Sequence, residues 1–218
     1  MINKQNITQI LSELPPHVQL VAAAKTRELQ EIQEAIDAGV KIIGENYVQE
    51  AERAYRIIGN KAQWHFIGHL QKNKVKKAVE IFDMIETVDS IEIADEIDKR
   101  SAQINKTMPV LIEINVGREA NKSGVRPEDT ERLIASLKDL KNIRVAGLMT
   151  MGPPTDRLED SRPYFREAKK LFDHLKNLHL PNTDMQYLSM GMTGSYKIAI
   201  EEGANIIRIG SKIFGERD

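Results

Sequence analysis

The sequence contains no cysteine among its 218 residues. This absence excludes disulfides, thiolate nucleophiles, iron–sulfur clusters and cysteine-ligated zinc, and it fits the reducing cytoplasm. Neither sign of charge is in excess, because 31 Lys and Arg against 32 Asp and Glu leave a formal net charge of −1. Proteins that mainly bind nucleic acid normally have a basic excess, so we expect no nucleic-acid partner.

Long hydrophobic runs are also missing. No stretch approaches the roughly 18 apolar residues of a membrane span. The first residues, MINKQNITQILSEL, place Asn, Lys and Gln where a signal peptide is continuously apolar. The five His residues do not follow a metal-binding spacing such as HExxH. We therefore expect a cytoplasmic protein with no membrane contact and no metal site.

What the sequence does contain is a regular alternation of β-prone and helical segments, which indicates a parallel sheet with right-handed crossovers. The predicted strands are Gln19–Ala24, Lys41–Gly44, Trp64–Gly68, Met84–Val88, Val110–Asn115, Val145–Thr150, Met185–Ser189 and Ile206–Gly210. The predicted helices are Ile7–Leu14, Leu29–Ala38, Tyr47–Ile58, Lys72–Ile81, Ile91–Ala102, Glu128–Leu140, Pro163–Leu178 and Ser195–Glu202.

Eight such units favour a closed (β/α)8 barrel, the TIM-barrel architecture. The alternative is an open doubly wound sheet, which usually carries a Gly-rich turn after its first strand, and no such turn is present. No linker, strong internal repeat or low-complexity tract divides residues 1–218. We predict one domain, in which the polar, Pro-rich segment Gly152–Ser161 is a long loop.

In a parallel barrel, functional residues lie where the strands end. The first strand ends in three alanines followed by Lys25, and the alanines are expected to leave space into which the lysine points. A desolvated lysine has a lowered pKa, so it can attack a carbonyl and form a Schiff base. The alternative is a surface lysine just beyond a strand.

The last strand ends in Arg208-Ile209-Gly210-Ser211. Strand alternation places Arg208 on the face opposite to its isoleucine neighbours, so an inward guanidinium would need a partner. The segment Ser189–Ser195 precedes a predicted helix, and together with Gly210 and Ser211 it suits a phosphate. Thr193 or Ser195 is expected to cap that helix whether or not phosphate binds.

Other polar residues have plainer interpretations. Asn46 either caps the following helix or faces a ligand, and His65 on an apolar strand is predicted as a satisfied core residue. A solvated helix face accounts for four lysines, namely Lys72, Lys74, Lys76 and Lys77. Together, a Schiff-base lysine, a glycine-rich phosphate corner and an inward arginine point to pyridoxal phosphate, which needs all three.

The sequence resembles the pyridoxal phosphate homeostasis proteins, which share a barrel with the N-terminal domain of alanine racemases. The similarity covers almost the whole chain. The motifs that carry it are Ala24-Lys25-Thr26, Gly44-Glu45-Asn46-Tyr47-Val48-Gln49-Glu50, Trp64-His65-Phe66-Ile67-Gly68-His69-Leu70-Gln71, Lys122-Ser123-Gly124, Gly147-Leu148-Met149, Leu188-Ser189-Met190-Gly191-Met192, Arg208-Ile209-Gly210-Ser211 and Ile213-Phe214-Gly215.

The resemblance implies a monomeric barrel with pyridoxal 5'-phosphate on Lys25, Arg208 facing the pyridine nitrogen and Asn46 near the ring. It implies a phosphate surrounded by Ser189, Gly191, Met192, Gly210 and Ser211. Such proteins are regarded as carriers or regulators of the cofactor, with cofactor-dependent apo-enzymes as partners, rather than as enzymes. The resemblance therefore gives no catalytic residue.

Two alternatives remain at this stage, a one-domain amino-acid racemase and an interaction module that uses the cofactor as a signal. Against a racemase, an arginine stays protonated and so disfavours a protonated pyridine nitrogen, which weakens the ring as an electron sink. Alanine racemases also have a second, β-rich domain with a catalytic tyrosine, for which we expect no room here. The chain departs from the family at Ala24, where Ser is common, and at Thr193–Lys197.

Overall fold

The computed structural model describes residues 2–152 and 157–216. Eight parallel strands close into a barrel in sequence order: β1 (Gln19–Ala23), β2 (Ile42–Glu45), β3 (Gln63–Phe66), β4 (Met84–Val88), β5 (Met108–Glu113), β6 (Ile143–Met149), β7 (Thr183–Ser189) and β8 (Ile206–Ile209). The described helices are α1 (Lys4–Glu13), α2 (Leu29–Asp37), α3 (Val48–Ile58), α4 (Val75–Ile81), α5 (Ile91–Ala102), α6 (Pro127–Ser136), α7 (Arg162–Leu178), α8 (Tyr196–Glu201) and α9 (Ser211–Phe214).

The prediction of a closed (β/α)8 barrel is confirmed. Strand β8 pairs with β1 in parallel, with Gln19 opposite Ile206 and Val21 opposite Arg208, and this pairing closes the sheet. Closure buries both faces of every strand, which is why the strands read as short apolar runs rather than as alternating ones. None of the helices within the two described ranges is long and apolar enough to span a bilayer.

Some boundaries differ from the sequence prediction. The helix expected from Lys72 divides into a 3₁₀ turn over Lys72–Lys74 and α4. The segment Gly152–Ser161 is not wholly loop, because Leu158–Ser161 is a 3₁₀ helix, and its residues 153–156 lie outside the described part. Helix α9 was not predicted, since four residues after a strand give too little periodicity to be recognised.

Two apolar layers build the core. Outward-facing strand residues pack against the helices, whereas an inner cluster fills the barrel itself. The inner cluster consists of Val21, Ile42, Ile67, Met84, Leu111, Ala146, Met149 and Ile206. Because strand side chains alternate between faces, this cluster identifies which later residues on each strand also point inward. Several of those later residues are charged, and they form the floor of the site.

Candidate functional site

The carboxyl ends of the strands surround a cavity of about 550 Å³ at the barrel mouth. Six of the eight residues predicted for the site line it, namely Lys25, Asn46, Met192, Arg208, Gly210 and Ser211. The other two lie just outside its lining. Ser189 is buried beneath it, and the Gly191 carbonyl accepts the Arg208 backbone N–H at 3.0 Å.

Lys25 reaches this cavity from the turn that follows β1. Ala23, the last residue of that strand, lines the cavity, and so does Lys25 two residues later. The expectation that all three alanines leave space at the mouth is wrong, because Ala22 and Ala24 face outward and pack against the helices. The half-buried Lys25 places its ammonium 5.2 Å from the centre of the Tyr47 ring.

The turn after Lys25 is held by a carboxylate. Thr26 has a left-handed backbone with φ of 61°, which is strained for a β-branched residue. Its N–H donates to the Glu50 carboxylate at 2.9 Å, and this bond fixes the turn that directs Lys25. The neighbouring Glu45 faces outward, away from the cavity mouth, and burial together with the charge of Glu50 raises its pKa to about 8.

Arg208 points into the barrel, as predicted, and forms its floor. The guanidinium donates through Nη1 to Ser189 Oγ at 2.5 Å and through Nη2 to the Thr150 carbonyl at 2.8 Å. Ser189 Oγ in turn donates to Glu86 Oε2 at 2.6 Å. The other oxygen of Glu86 lies 2.7 Å from His65 Nδ1. Both terminal nitrogens of this buried guanidinium therefore have a hydrogen-bond partner.

The opposite charges of Glu86 and Arg208 stabilise each other's ionised form. Burial alone would raise the pKa of Glu86, but the hydrogen bond and charge of His65, the charge of Arg208 and the Ser189 hydroxyl together lower it. Burial lowers the pKa of Arg208, and the charges of Glu86 and Glu113 oppose this shift. Since arginine begins from a very high pKa, Arg208 stays protonated at the floor of the site, with the Glu86 carboxylate beside it.

Sequence reasoning missed two acidic residues on inward-facing strand positions. Glu86 follows Met84 and Glu113 follows Leu111, each two residues after a member of the inner apolar cluster. Burial raises the pKa of Glu113 to about 7, the charge of Asp89 adds to this effect, and Arg208 opposes it. The sequence could have indicated both residues, because a carboxylate inside an apolar strand needs a buried partner just as Arg208 does.

Glycines shape the loops after β7 and β8, which the sequence predicted to suit a phosphate. Gly191 has φ of +90°, and a Cβ there would lie 2.5 Å from the Ala199 Cβ, so only glycine fits. Gly210 differs, because an added Cβ would lie 3.5 Å from its nearest neighbour, which is ordinary contact. The hydroxyl of Thr193 accepts the Gly210 N–H at 3.4 Å, which joins the two loops.

The capping predictions are corrected by the structure. Ser195 holds the position before α8 but makes no side-chain cap bond; its hydroxyl instead accepts the Met192 N–H at 3.2 Å. Asn46 does not cap α3, because Tyr47 occupies that position, and Asn46 faces the cavity. His65 is buried, as predicted. Lys197, in the segment that departs from the family, pairs with Glu13 at 3.2 Å on the surface.

Comparison with known proteins adds the following. The profile described as "Alanine racemase, N-terminal domain" matches residues 3–218. A pyridoxal phosphate homeostasis protein from Aquifex aeolicus is 44% identical over 91% of this chain and 86% of its own length. One from Pasteurella multocida is 37% identical, covering 100% of this chain and 99% of its own length.

Solved structures are also similar to this chain. PipY of Synechococcus elongatus PCC7942, with PLP bound, is similar with a TM-score of 0.89 and 31% identity, covering 97% of this chain and 99% of that one. An alanine racemase from Streptomyces lavendulae has a TM-score of 0.77 at 15% identity, covering 96% of this chain and 55% of that one. The second likeness shows the shared barrel fold alone.

Proposed function

This chain belongs to the pyridoxal phosphate homeostasis proteins of the alanine racemase N-terminal domain family, and we propose that it holds pyridoxal 5'-phosphate as a Schiff base on Lys25. The observation that carries the proposal is the meeting of Lys25, Arg208 and the Gly210–Ser211 corner in one cavity. The similar PipY structure contains the same cofactor.

The residues present fit that cofactor. Lys25 supplies the amine for its aldehyde, and the Gly210 backbone leaves a space that a Cβ would fill. We assign Gly191, Met192, Gly210 and Ser211 to the phosphate. Ser189 was expected there too, but its hydroxyl is engaged by Arg208 and Glu86, so we assign it to support of Arg208.

Two further assignments concern the ring. Arg208, at the cavity floor, is assigned to the pyridine nitrogen, and Asn46, at the cavity wall, to the ring substituents. When bound, the cofactor supplies an aldehyde and an electron-accepting ring. Because Arg208 stays cationic, it disfavours protonation of the pyridine nitrogen, and the ring then stabilises a carbanion less well. This favours storage or delivery of the cofactor over catalysis.

The biological role that follows is buffering of pyridoxal phosphate and its delivery to cofactor-dependent apo-enzymes, with an influence on amino-acid balance. The relatives at 37% and 44% identity carry homeostasis names rather than enzyme names, which supports this role. We propose that the chain acts in the cytoplasm as a single-domain monomer.

The test is an absorbance spectrum of the purified protein with added cofactor, before and after borohydride. We expect a yellow protein that bleaches, with the reduced adduct mapped to the peptide containing Lys25. An adduct on another lysine, or no uptake at all, would contradict the proposal. Deuterium uptake at the α-carbon of added amino acids separates the roles, because a racemase catalyses this exchange and a carrier does not.

Gly210→Ala tests the phosphate corner. Its φ of −112° suits any residue, and the new methyl clashes with no described protein atom, so stability should be near that of the parent. The methyl narrows the cavity, and we expect the Kd for pyridoxal phosphate to rise about tenfold, equivalent to roughly 1.4 kcal/mol. Equilibrium dialysis measures this, and an unchanged Kd would remove Gly210 from the site.

Gly191→Ala is the control for Gly210→Ala. Its positive φ and the 2.5 Å approach to Ala199 make the methyl costly to the fold itself, so we expect a loss of stability of about 1–3 kcal/mol. A urea unfolding curve for both variants distinguishes an effect on the ligand from an effect on the barrel.

A further inference from the structure

A second cavity, of about 420 Å³, lies on the other side of Lys25. It shares Lys25 and Asn46 with the cavity at the mouth, so the two spaces are adjacent at these two residues. The start of α3 and the segment that runs from the end of β3 to Lys74 supply the other walls. Nothing assigned above uses this space.

The lining of the second cavity contains two lysines and no carboxylate. Among the described residues that line it are Lys25, Lys74 and the imidazole of His69, and no Asp or Glu. Lys77 of the same helical segment is paired with Glu52 and Glu80, whereas no carboxylate of the described residues pairs with Lys74. Amide groups from Asn46, Gln49 and Gln71 complete the polar lining. Cations and amide donors without acids suit a carboxylate ligand.

The position of Lys25 indicates how such a ligand would approach. Its ammonium lies over Tyr47, a residue that lines the second cavity and not the mouth. A lysine displaced from the cofactor therefore has a resting place in this second cavity, stabilised by the aromatic face. A ligand that displaces it must carry an amine toward the mouth and leave its anionic end among Lys25 and Lys74.

We propose that the second cavity binds the carboxylate of a free amino acid whose amine exchanges with Lys25 on the cofactor; this rests on the function proposed above. The amine nitrogen forms a bond to the carbon that Lys25 held, and the bond from that carbon to Lys25 Nζ breaks. Both hydrogens of the neutral amine end on Nζ, which leaves as a free amine. No oxidant or reductant is needed.

The test uses the protein loaded with pyridoxal phosphate, titrated with alanine and with ethylamine, which lacks the carboxylate. At equal concentrations of the neutral amine, exchange is followed as the loss of the Lys25 adduct after borohydride, because only an imine that has not exchanged is reduced onto Lys25. We expect alanine to act at about tenfold lower concentration than ethylamine. In Lys74→Gln, half-saturation for alanine should rise about tenfold, which corresponds to roughly 1.4 kcal/mol, and that for ethylamine should not change.

Lys76→Gln is the matched control, because Lys76 is exposed on the same helix and does not line the cavity; it should behave as the parent. Cofactor uptake is measured first in every variant. If the parent forms no imine on Lys25, the proposed function fails. If the imine forms but alanine and ethylamine act alike, or Lys74→Gln changes neither, the cavity proposal is overturned and the proposed function stands.

Discussion

Lys25→Ala is expected to abolish the imine and with it the yellow absorbance of the loaded protein. Lys25 is the one lysine among the described residues that line the mouth cavity, and an imine requires a primary amine. Arg208 and the Gly210–Ser211 corner remain, so weaker, non-covalent binding should persist. The measurement is the mass of the intact protein after borohydride, which should gain the adduct in the parent and not in the variant.

Two further variants test whether the loss of absorbance is specific to the Lys25 amine. Lys25→Arg keeps a cation near Tyr47 but cannot form the imine, so it should lose the absorbance as completely as the alanine variant does. Lys76→Ala removes an exposed lysine from α4 and should keep both the absorbance and the adduct. The contact of Lys25 with Tyr47 contributes only about 0.5–1 kcal/mol at such a site, so misfolding is not expected. A retained absorbance in Lys25→Ala would refute the assignment.

Glu86→Ala is expected to be the most destabilising of these substitutions. Glu86 is fully buried, accepts a hydrogen bond from Ser189, contacts His65 and lies 3.9 Å from the Arg208 guanidinium. Its removal leaves that guanidinium buried without the carboxylate that lies within 4 Å of it, which costs about 3–5 kcal/mol. Small domains are stable by only about 5–15 kcal/mol in total, so urea unfolding should show a large shift of the midpoint.

The control for Glu86 is to remove both charges. Glu86→Met combined with Arg208→Met replaces the pair by apolar side chains, and we expect it to recover much of the lost stability, because no unpaired charge remains. A loss below about 1 kcal/mol in Glu86→Ala would show that Arg208 does not depend on Glu86. A double variant as unstable as Glu86→Ala would mean that volume, and not charge, is responsible.

The contribution of Glu86 depends on pH in a direction that its pKa determines. The pKa is lower in the folded protein than in the unfolded chain, where glutamate titrates near pH 4.3. The stabilisation is therefore fully present above about pH 4.3 and is lost as the pH falls through the folded-state pKa. The difference in stability between the parent and Glu86→Ala should be largest near neutral pH and should narrow in acid.

The barrel could be predicted from the sequence because its evidence is local and repeated. Each β/α unit contains an apolar run and an amphipathic helix, and eight repeats leave few topologies. The helix Ile91–Ala102 and the strand Met84–Val88 were predicted to the residue. The short helix α9 and the 3₁₀ turns were not, since three or four residues carry no periodicity.

Part of the candidate site was also determined by the sequence. Strand alternation predicted that Arg208 points into the barrel, and the position of Lys25 directly after the first strand predicted that it lies at the mouth, because the carboxyl ends of a barrel's strands meet. Glu86 and Glu113 satisfied the same parity but were read as members of apolar runs. The sequence shows that a buried charge needs a partner, but it does not show which residue supplies it.

Only the tertiary structure decided the partners and the spaces between them. The chain from His65 through Glu86 and Ser189 to Arg208 joins strands that are far apart in sequence. Whether Asn46 caps α3 or faces a ligand depends on the residue at which that helix begins, and the structure places Tyr47 at the capping position. The second cavity lies between the segments that follow β1, β2 and β3, which the pairing of these strands brings together. Local propensity determines which segments are strands and helices, whereas pairing and cavities depend on distances that exist only once the barrel has closed.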